Sequence, residues 1–83
     1  MSELIYISAE WCQPCKSFSP IISKVQGVGI PVTKLDADRD KQELVKYGVK
    51  TVPTLLKMNS SGTIVGKLTG LKTFQEVVNF YNQ

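Results

Sequence analysis

The chain has 83 residues, too few to build two separate hydrophobic cores, so we expect one domain over residues 1–83. Its apolar fraction of 42% suits a protein that folds in water, and it contains no apolar run of the roughly 18 residues that a membrane-spanning helix requires. The net charge is +3, but the ten basic residues are scattered among seven acidic ones. We therefore expect neither a membrane nor a nucleic acid as a partner.

Cysteine usage and the absence of histidine narrow the chemistry further. A small secreted domain usually carries several disulfides, whereas this chain has only Cys12 and Cys15, which close a loop too short to constrain the unfolded chain. The first residues show no basic stretch followed by an apolar core, so we expect a cytoplasmic protein. Without histidine or a second cysteine pair, we expect no metal; a site shared between chains is the remaining metal alternative.

The first half of the chain predicts a buried strand followed by a helix. Residues 4–7 are nearly all apolar, which is typical of a central strand covered on both faces. From Cys15 onward, apolar residues recur at the three-and-four spacing of an amphipathic helix that ends at Gly27. Pro14 suits the first turn of this helix, whereas Pro20 lies deeper and should kink it.

A second strand and a second helix are predicted next. Residues 31–35 read as a strand, and the proline at its start favours an edge position. Residues 40–43 resemble a capping box that opens a short helix, and Gly48 ends that helix.

The last third predicts a β-hairpin and a helix. Residues 54–58 and 63–68 read as strands joined by the turn at residues 59–62. Residues 73–76 form a second capping box, followed by an apolar helical face. A strand–helix–strand unit implies parallel pairing, and the hairpin adds antiparallel strands. We therefore predict an α/β fold: a four-stranded mixed sheet, with two parallel strands and an antiparallel hairpin, and about three helices on both faces.

The cysteine pair predicts thiol–disulfide chemistry. Side chains three positions apart on the first turn of a helix lie close enough to form a disulfide. The unpaired N–H groups of a helix N-terminus favour a thiolate over a thiol, so Cys12 at the tip should be exposed and attack first. Cys15, one turn deeper, should act second on the mixed disulfide, with no external cofactor beyond the Cys12–Cys15 disulfide itself. The alternative is a pair of structural cysteines that fill space in the core.

Three segments together resemble the thioredoxin family over nearly the whole chain. Residues 9–16 read Ala-Glu-Trp-Cys-Gln-Pro-Cys-Lys, similar to the family's Ala-x-Trp-Cys-Gly-Pro-Cys-Lys motif. Residues 47–55 are similar to its Tyr-Gly-Ile-x-x-Ile-Pro-Thr-Leu segment, and residues 69–70 resemble the Val-Gly before its last helix. In its small size, the chain also resembles glutaredoxins and the short thioredoxins of phages and archaea. The resemblance implies a minimal thioredoxin-like fold.

The resemblance also implies roles for individual residues. Cys12 would be the nucleophile and Cys15 the resolving thiol. The substrate strand would be received by a rim of four residues: Trp11, Val52, Pro53 and Gly70. The Val52–Pro53 bond would be cis, although an X–Pro bond in general is cis only about one time in twenty, so a trans proline that starts a strand is the alternative.

Other positions support the site or depart from the family pattern. Between the cysteines, Gln13 and Pro14 offer no cation to stabilise a thiolate, so we expect a reducing pair; Lys16 follows the second cysteine in both thioredoxins and glutaredoxins. Thioredoxins usually carry a buried aspartate six residues before the first cysteine, where this chain has Tyr6. Lys34 occupies the place of the lysine that accompanies that aspartate. The proton acceptor for Cys15 is therefore left open.

The resemblance implies a reductant of protein disulfides that a reductase recharges. We expect a monomer whose partners are disulfide-containing client proteins, with ribonucleotide reductase as a client suggested by the family, and a thioredoxin reductase-type or glutathione reductant. One alternative is a glutaredoxin-like, glutathione-dependent reductase. Another is a protein-interaction adaptor on the same fold, for which the thiols would be incidental.

Overall fold

The computed structural model describes residues 2–83 as one sheet and three helices. The elements in chain order are β1 (Glu3–Ser8), α1 (Gln13–Gly27), β2 (Val32–Asp36), α2 (Lys41–Tyr47), β3 (Thr54–Met58), β4 (Ile64–Thr69) and α3 (Phe74–Asn82). None of these helices is both long enough and apolar enough to cross a membrane. The predicted order of elements is confirmed.

The four strands form a mixed sheet in the order β2-β1-β3-β4. β1 pairs in parallel with β2, whereas β3 is antiparallel to both β1 and β4. The apolar run at residues 4–7 lies in β1, which has a strand on each side and is buried throughout that run. β2 is an edge strand as predicted, although it begins at Val32 rather than at Pro31.

Helices cover both faces of the sheet because side chains alternate along β1. Leu4 and Tyr6 point toward α1 and α3, and form a core with side chains from those helices that include Phe18 and Val77. The alternate residues Ile5 and Ile7 point to the other face, where they pack with Val49, Leu56 and residues of α2. The prediction of helices on both faces is confirmed.

The two predicted capping boxes have different outcomes. At the start of α3, the hydroxyl of Thr73 accepts the N–H of Glu76 at 3.1 Å, and the Glu76 carboxylate accepts the N–H of Thr73 at 3.0 Å. The box predicted at residues 40–43 is wrong, because Asp40 makes no side-chain cap bond to α2. Its carboxylate instead turns back and accepts the N–H of Asp36, the last residue of β2, at 2.8 Å.

Strand direction brings three separate segments to one end of the sheet. β1 ends at Ser8, and the chain then enters α1 through residues 9–12. Because β3 runs antiparallel to β1, its first residue, Thr54, lies opposite Ile7. Thr69 at the end of β4 lies opposite Thr54. The loops that precede α1, precede β3 and follow β4 therefore meet beside the N-terminus of α1.

Candidate active site

The two cysteines form a disulfide at the N-terminus of α1. Their Cα atoms are 5.2 Å apart, within the usual range of about 4.4–6.8 Å for a disulfide. Cys12 is the N-cap residue, with an extended backbone, and its sulfur accepts the N–H of Cys15 at 3.2 Å. The first turn of α1 contains no acidic residue. The positive end of the helix dipole therefore faces the Cys12 sulfur, and no carboxylate within that first turn offsets it.

Both cysteines are buried in this oxidised state, which corrects one expectation. We expected Cys12 to be exposed at the helix tip, but only 4% of its surface is accessible, against 2% for Cys15. The reason is packing: the pair forms a small cluster with Ala9, against which Ala37 and Val52 also pack. Cys12 is the more accessible of the two by a narrow margin, so burial alone does not distinguish their roles.

The loop before β3 forms one side of the site. The Val52–Pro53 peptide bond is cis, in agreement with the family resemblance. Val52 contacts the cysteine cluster, while Pro53 is buried and its carbonyl accepts the N–H of Gly70 at 3.0 Å. Gly70 has φ of +84°, a left-handed conformation that favours glycine over residues with a Cβ atom. The predicted rim residues Val52, Pro53 and Gly70 are thus joined beside the disulfide.

Trp11 is a large exposed side chain beside the cysteines, with 67% of its surface accessible. Its indole N–H donates to Oδ2 of Asp38 at 2.9 Å. Because this bond joins the loop before α1 to the loop after β2, it limits the orientations open to the indole. Asp38 was not among the predicted site residues, since no local pattern connects positions 27 residues apart.

Tyr6 approaches the disulfide from the buried side of α1. Its ring is 1% exposed and packs edge-on against Phe18, with the centroids 5.5 Å apart. Its hydroxyl lies 3.3 Å from the carbonyl oxygen of Cys15 and 3.2 Å from the hydroxyl of Ser19. Lys34 lies next to Tyr6 in the sheet register but is exposed. Sequence reasoning included Tyr6 and Lys34 but missed Ser19, which the four-residue spacing from Cys15 could have indicated.

Three further predicted residues, Gln13, Pro14 and Lys16, are exposed on the first turn of α1. They border the cysteines without being buried beside them. Lys16 also lines, with Cys15 and Ser19, a shallow cleft whose other wall includes Glu10 and Asp36. Within residues 2–83, no three histidine, cysteine, aspartate or glutamate side chains are grouped so that they could hold a metal ion.

The family model for thioredoxin matches residues 2–83. The chain belongs to the thioredoxin family. It is 35% identical over 77 residues to a thioredoxin of Bacillus subtilis, an alignment that covers 86% of this chain and 73% of that relative. A thioredoxin of Buchnera aphidicola is 34% identical over 84 residues, covering 94% of this chain and 76% of the relative.

Solved thioredoxin structures share this fold. A thioredoxin mutant from Halobacterium salinarum superposes with a TM-score of 0.90 and is 27% identical, covering 98% of this chain and 72% of that structure. The reduced thioredoxin pre-protein of Schistosoma mansoni superposes with a TM-score of 0.89. It is only 23% identical, with 98% of this chain and 76% of that structure covered, so the likeness is one of fold.

Family membership and the cysteine geometry define the activity. This thioredoxin-family chain is a dithiol–disulfide oxidoreductase, with a redox-active Cys-x-x-Cys pair formed by Cys12 and Cys15. Its substrates contain disulfides, and the reduced pair is restored by a reductant such as a thioredoxin reductase.

Proposed function

We propose that this thioredoxin-family protein reduces disulfides in client proteins in two steps, with Cys12 attacking and Cys15 resolving. The observation that carries the assignment is the hydrogen bond from the N–H of Cys15 to the sulfur of Cys12 at 3.2 Å. A main-chain N–H and the positive end of α1 both stabilise negative charge on the sulfur that they face. Because that sulfur belongs to Cys12, the reduced protein should hold its thiolate there.

In the first step, the Cys12 thiolate attacks one sulfur of the client disulfide. A bond forms between the Cys12 sulfur and that client sulfur, the client disulfide breaks, and the second client sulfur leaves with the electron pair as a thiolate. The product is a mixed disulfide between Cys12 and the client. Cys15 stays reduced in this step, because it lies deeper in the first turn of α1 than Cys12 does.

In the second step, Cys15 loses its proton and attacks the Cys12 sulfur. The Cys12–Cys15 bond forms, the bond from Cys12 to the client breaks, and the client sulfur leaves with the electron pair. The client has gained two electrons and the cysteine pair has lost them. A reductase then returns two electrons to the disulfide, so the chain needs no cofactor beyond its own cysteines.

The rim residues Trp11, Val52, Pro53 and Gly70 are proposed to receive the client segment. Trp11 offers an exposed aromatic surface fixed by its bond to Asp38, and an aromatic side chain of this kind is a frequent anchor in protein contacts. The second wall is formed by the loops before β3 and after β4, which are joined by the hydrogen bond from the Gly70 N–H to the Pro53 carbonyl. A client disulfide in an extended segment between these two walls would lie over Cys12.

The residues around the pair suit a reductant. Gln13 and Pro14 carry no cation that would stabilise the Cys12 thiolate further, and strong stabilisation of that thiolate is what makes a disulfide strongly oxidising. We propose that the protein works as a monomer in the cytoplasm, where thiols are kept reduced, and that ribonucleotide reductase is among its clients.

Insulin reduction tests the proposal and its alternatives. The reduction rate is measured with NADPH and a thioredoxin reductase, and separately with NADPH, glutathione and glutathione reductase. We expect turnover with the first system. Turnover with glutathione alone would instead support the glutaredoxin-like alternative. Turnover with neither system would contradict both, and a Cys12→Ser/Cys15→Ser chain that keeps its biological effect would support the adaptor alternative.

A further inference from the structure

The carbonyl group of Cys15 is held by two side-chain hydroxyls. Ser19 donates to this oxygen at 2.9 Å, and the hydroxyl of Tyr6 lies 3.3 Å from it. The two hydroxyls are also 3.2 Å from each other, so they form a small hydrogen-bonded triangle with the carbonyl. This triangle is positioned on the main chain of the resolving cysteine, on the side of α1 that faces β1. Within residues 2–83, no side-chain hydroxyl is hydrogen-bonded to the carbonyl of Cys12.

Pro20 explains why the start of α1 needs additional support. Proline has no N–H, so the carbonyl four residues earlier, that of Lys16, receives no main-chain helical bond from it. The ring of Pro20 also crowds that carbonyl, which adjoins Cys15 in the chain. The first turn of α1 is thus joined to the rest of the helix by fewer main-chain bonds than a regular helix provides. The hydroxyls of Tyr6 and Ser19 bond the neighbouring carbonyl, at Cys15.

The anchoring group is itself rigid. The ring of Tyr6 is 1% exposed, comes from the central strand β1 and packs edge-on against Phe18 of α1. A buried ring with a fixed neighbour has little freedom to rotate, so its hydroxyl marks a constant position relative to the sheet. Ser19 adds a second bond from within the helix, one turn along from Cys15.

We propose that Tyr6 and Ser19 are positioning residues for the resolving step, in which they hold the main chain of Cys15 so that its sulfur stays aligned with the sulfur of Cys12. The inference rests on the proposed function. In that step the Cys15 thiol gives its proton to solvent, its sulfur bonds to the Cys12 sulfur, and the client sulfur leaves with the electron pair of the bond that breaks. Neither hydroxyl gains or loses a proton. Their contribution is alignment, and small displacements of reacting atoms are costly to rate.

The experiment separates the two steps of exchange. The reduced protein is treated with 5,5′-dithiobis(2-nitrobenzoate), and the two releases of the coloured thiolate are followed by stopped-flow absorbance. The first release reports attack by Cys12, and the second reports resolution by Cys15. Equilibration with reduced and oxidised glutathione gives the effective concentration of one thiol toward the other. A fold disruption alone would not be expected to affect the second release and this equilibrium selectively.

Tyr6→Phe keeps the ring and its packing but removes the hydroxyl, and Ser19→Ala removes the other donor. We expect each variant to slow the second release about three- to tenfold, the size expected for the loss of one hydrogen bond, and to lower the effective concentration by a similar factor. The first release should change less than the second. Because both hydroxyls act on one carbonyl, the double variant should lose less than the product of the two single effects.

Matched controls remove comparable groups away from Cys15. Tyr81→Phe deletes a tyrosine hydroxyl that also donates to a main-chain carbonyl, that of Ser2, at 3.0 Å. Ser23→Ala deletes an exposed serine hydroxyl of the same helix. Both controls should leave the two releases at wild-type rates, and thermal melts check that every variant is folded.

The outcomes distinguish this inference from the function on which it rests. Wild-type rates for the second release in folded Tyr6→Phe and Ser19→Ala would overturn the positioning role while leaving the exchange mechanism intact. Equal slowing of both releases would also overturn it, because the effect would then not be specific to Cys15. A wild-type protein that gives no second release would contradict the proposed function itself. If Tyr6→Phe does not fold, the rate of the second release in Ser19→Ala alone decides whether the positioning role holds.

Discussion

The two helices that pack on the same face of the sheet begin with the same hydrogen-bond geometry but different chemistry. In α3, the N-cap hydroxyl of Thr73 accepts the N–H of the third helical residue, Glu76, at 3.1 Å. In α1, the N-cap sulfur of Cys12 accepts the N–H of the third helical residue, Cys15, at 3.2 Å. The Cys-x-x-Cys pair therefore occupies the two positions that a capping box uses.

The difference lies in what the third residue does in return. The Glu76 carboxylate accepts the N–H of Thr73, so α3 has two terminal N–H groups satisfied and a negative charge at its positive end. In α1 the third helical residue is Cys15, whose side chain is joined to Cys12 by a disulfide bond. This bond breaks when the protein is reduced. In α3 these positions therefore stabilise the helix, whereas in α1 the positive helix end remains available to stabilise a thiolate on Cys12.

Replacing Cys12 by serine should remove catalysis while keeping a helix cap. A serine oxygen accepts the N–H of Cys15 at least as well as sulfur does, so α1 should begin normally. Without the attacking sulfur, we expect insulin reduction to fall to the rate of the uncatalysed reaction. Circular dichroism melts compare this variant with the reduced wild-type protein. Retained reduction together with an intact fold would contradict the assignment of Cys12.

An acidic residue in the first turn of α1 should make its N-terminus more like that of α3. In Gln13→Glu, a carboxylate offsets the positive helix end, which favours the thiol form of Cys12 over the thiolate. We expect the first release in the two-step assay to slow about two- to fivefold at neutral pH, since a dipole interaction is worth about 0.3–1 kcal/mol. Gln75→Glu, in the first turn of α3, is the matched control. An unchanged rate in Gln13→Glu would mean that the helix end does not activate Cys12.

Removing the cap of α3 should lower stability without affecting exchange. Thr73→Ala loses the side-chain acceptor for the N–H of Glu76, and caps of this kind contribute about 1 kcal/mol. In a domain of this size, that loss lowers the melting temperature by about 4–8 °C. Thermal denaturation measures the shift, and Thr73→Ser is a control that keeps a hydroxyl. Slower exchange in a folded Thr73→Ala protein would argue against the separation of roles between the two helices.

The same cap predicts a small dependence of stability on pH. Hydrogen bonding from the main chain of Thr73 lowers the pKa of Glu76 below its ordinary value near 4.5. Because the pKa is lower in the folded state, the stabilising contribution of Glu76 is complete above the ordinary value and is lost as pH falls through the lowered one. Denaturant titrations of wild type and Glu76→Gln should therefore differ at pH 7 and converge in acid. A difference that does not shrink as the solution is acidified would contradict this origin.

Much of the fold was predictable because it depends on local patterns. The apolar run at residues 4–7 marks a central strand, and the alternation along it determines which helices each side chain meets. Spacing alone could not settle the cap of α2, since Asp40 is equally suited to bond the helix or the loop before it. In the packed structure the carboxylate of Asp40 accepts the N–H of Asp36, the last residue of β2, instead.

The site was predictable only in part, for a physical reason. The spacing of Cys12 and Cys15 follows from one helical turn, and the cis bond before Pro53 followed from family resemblance rather than from propensity. The burial of Cys12 was missed because it depends on Val52 and Ala37, which reach it from distant loops. The bond between Trp11 and Asp38 is likewise a tertiary contact. No local rule predicts either.

Partial alkylation of the reduced protein shows which of the two cysteines carries the accessible thiolate. The protein is treated with less than one equivalent of iodoacetamide at neutral pH, and the modified cysteine is identified by peptide mass spectrometry. Thiolates react and thiols do not, so reactivity reports both ionisation and access. We predict that the label lies on Cys12, with little on Cys15. Labelling mainly on Cys15, or no labelling until the protein is unfolded, would contradict the account.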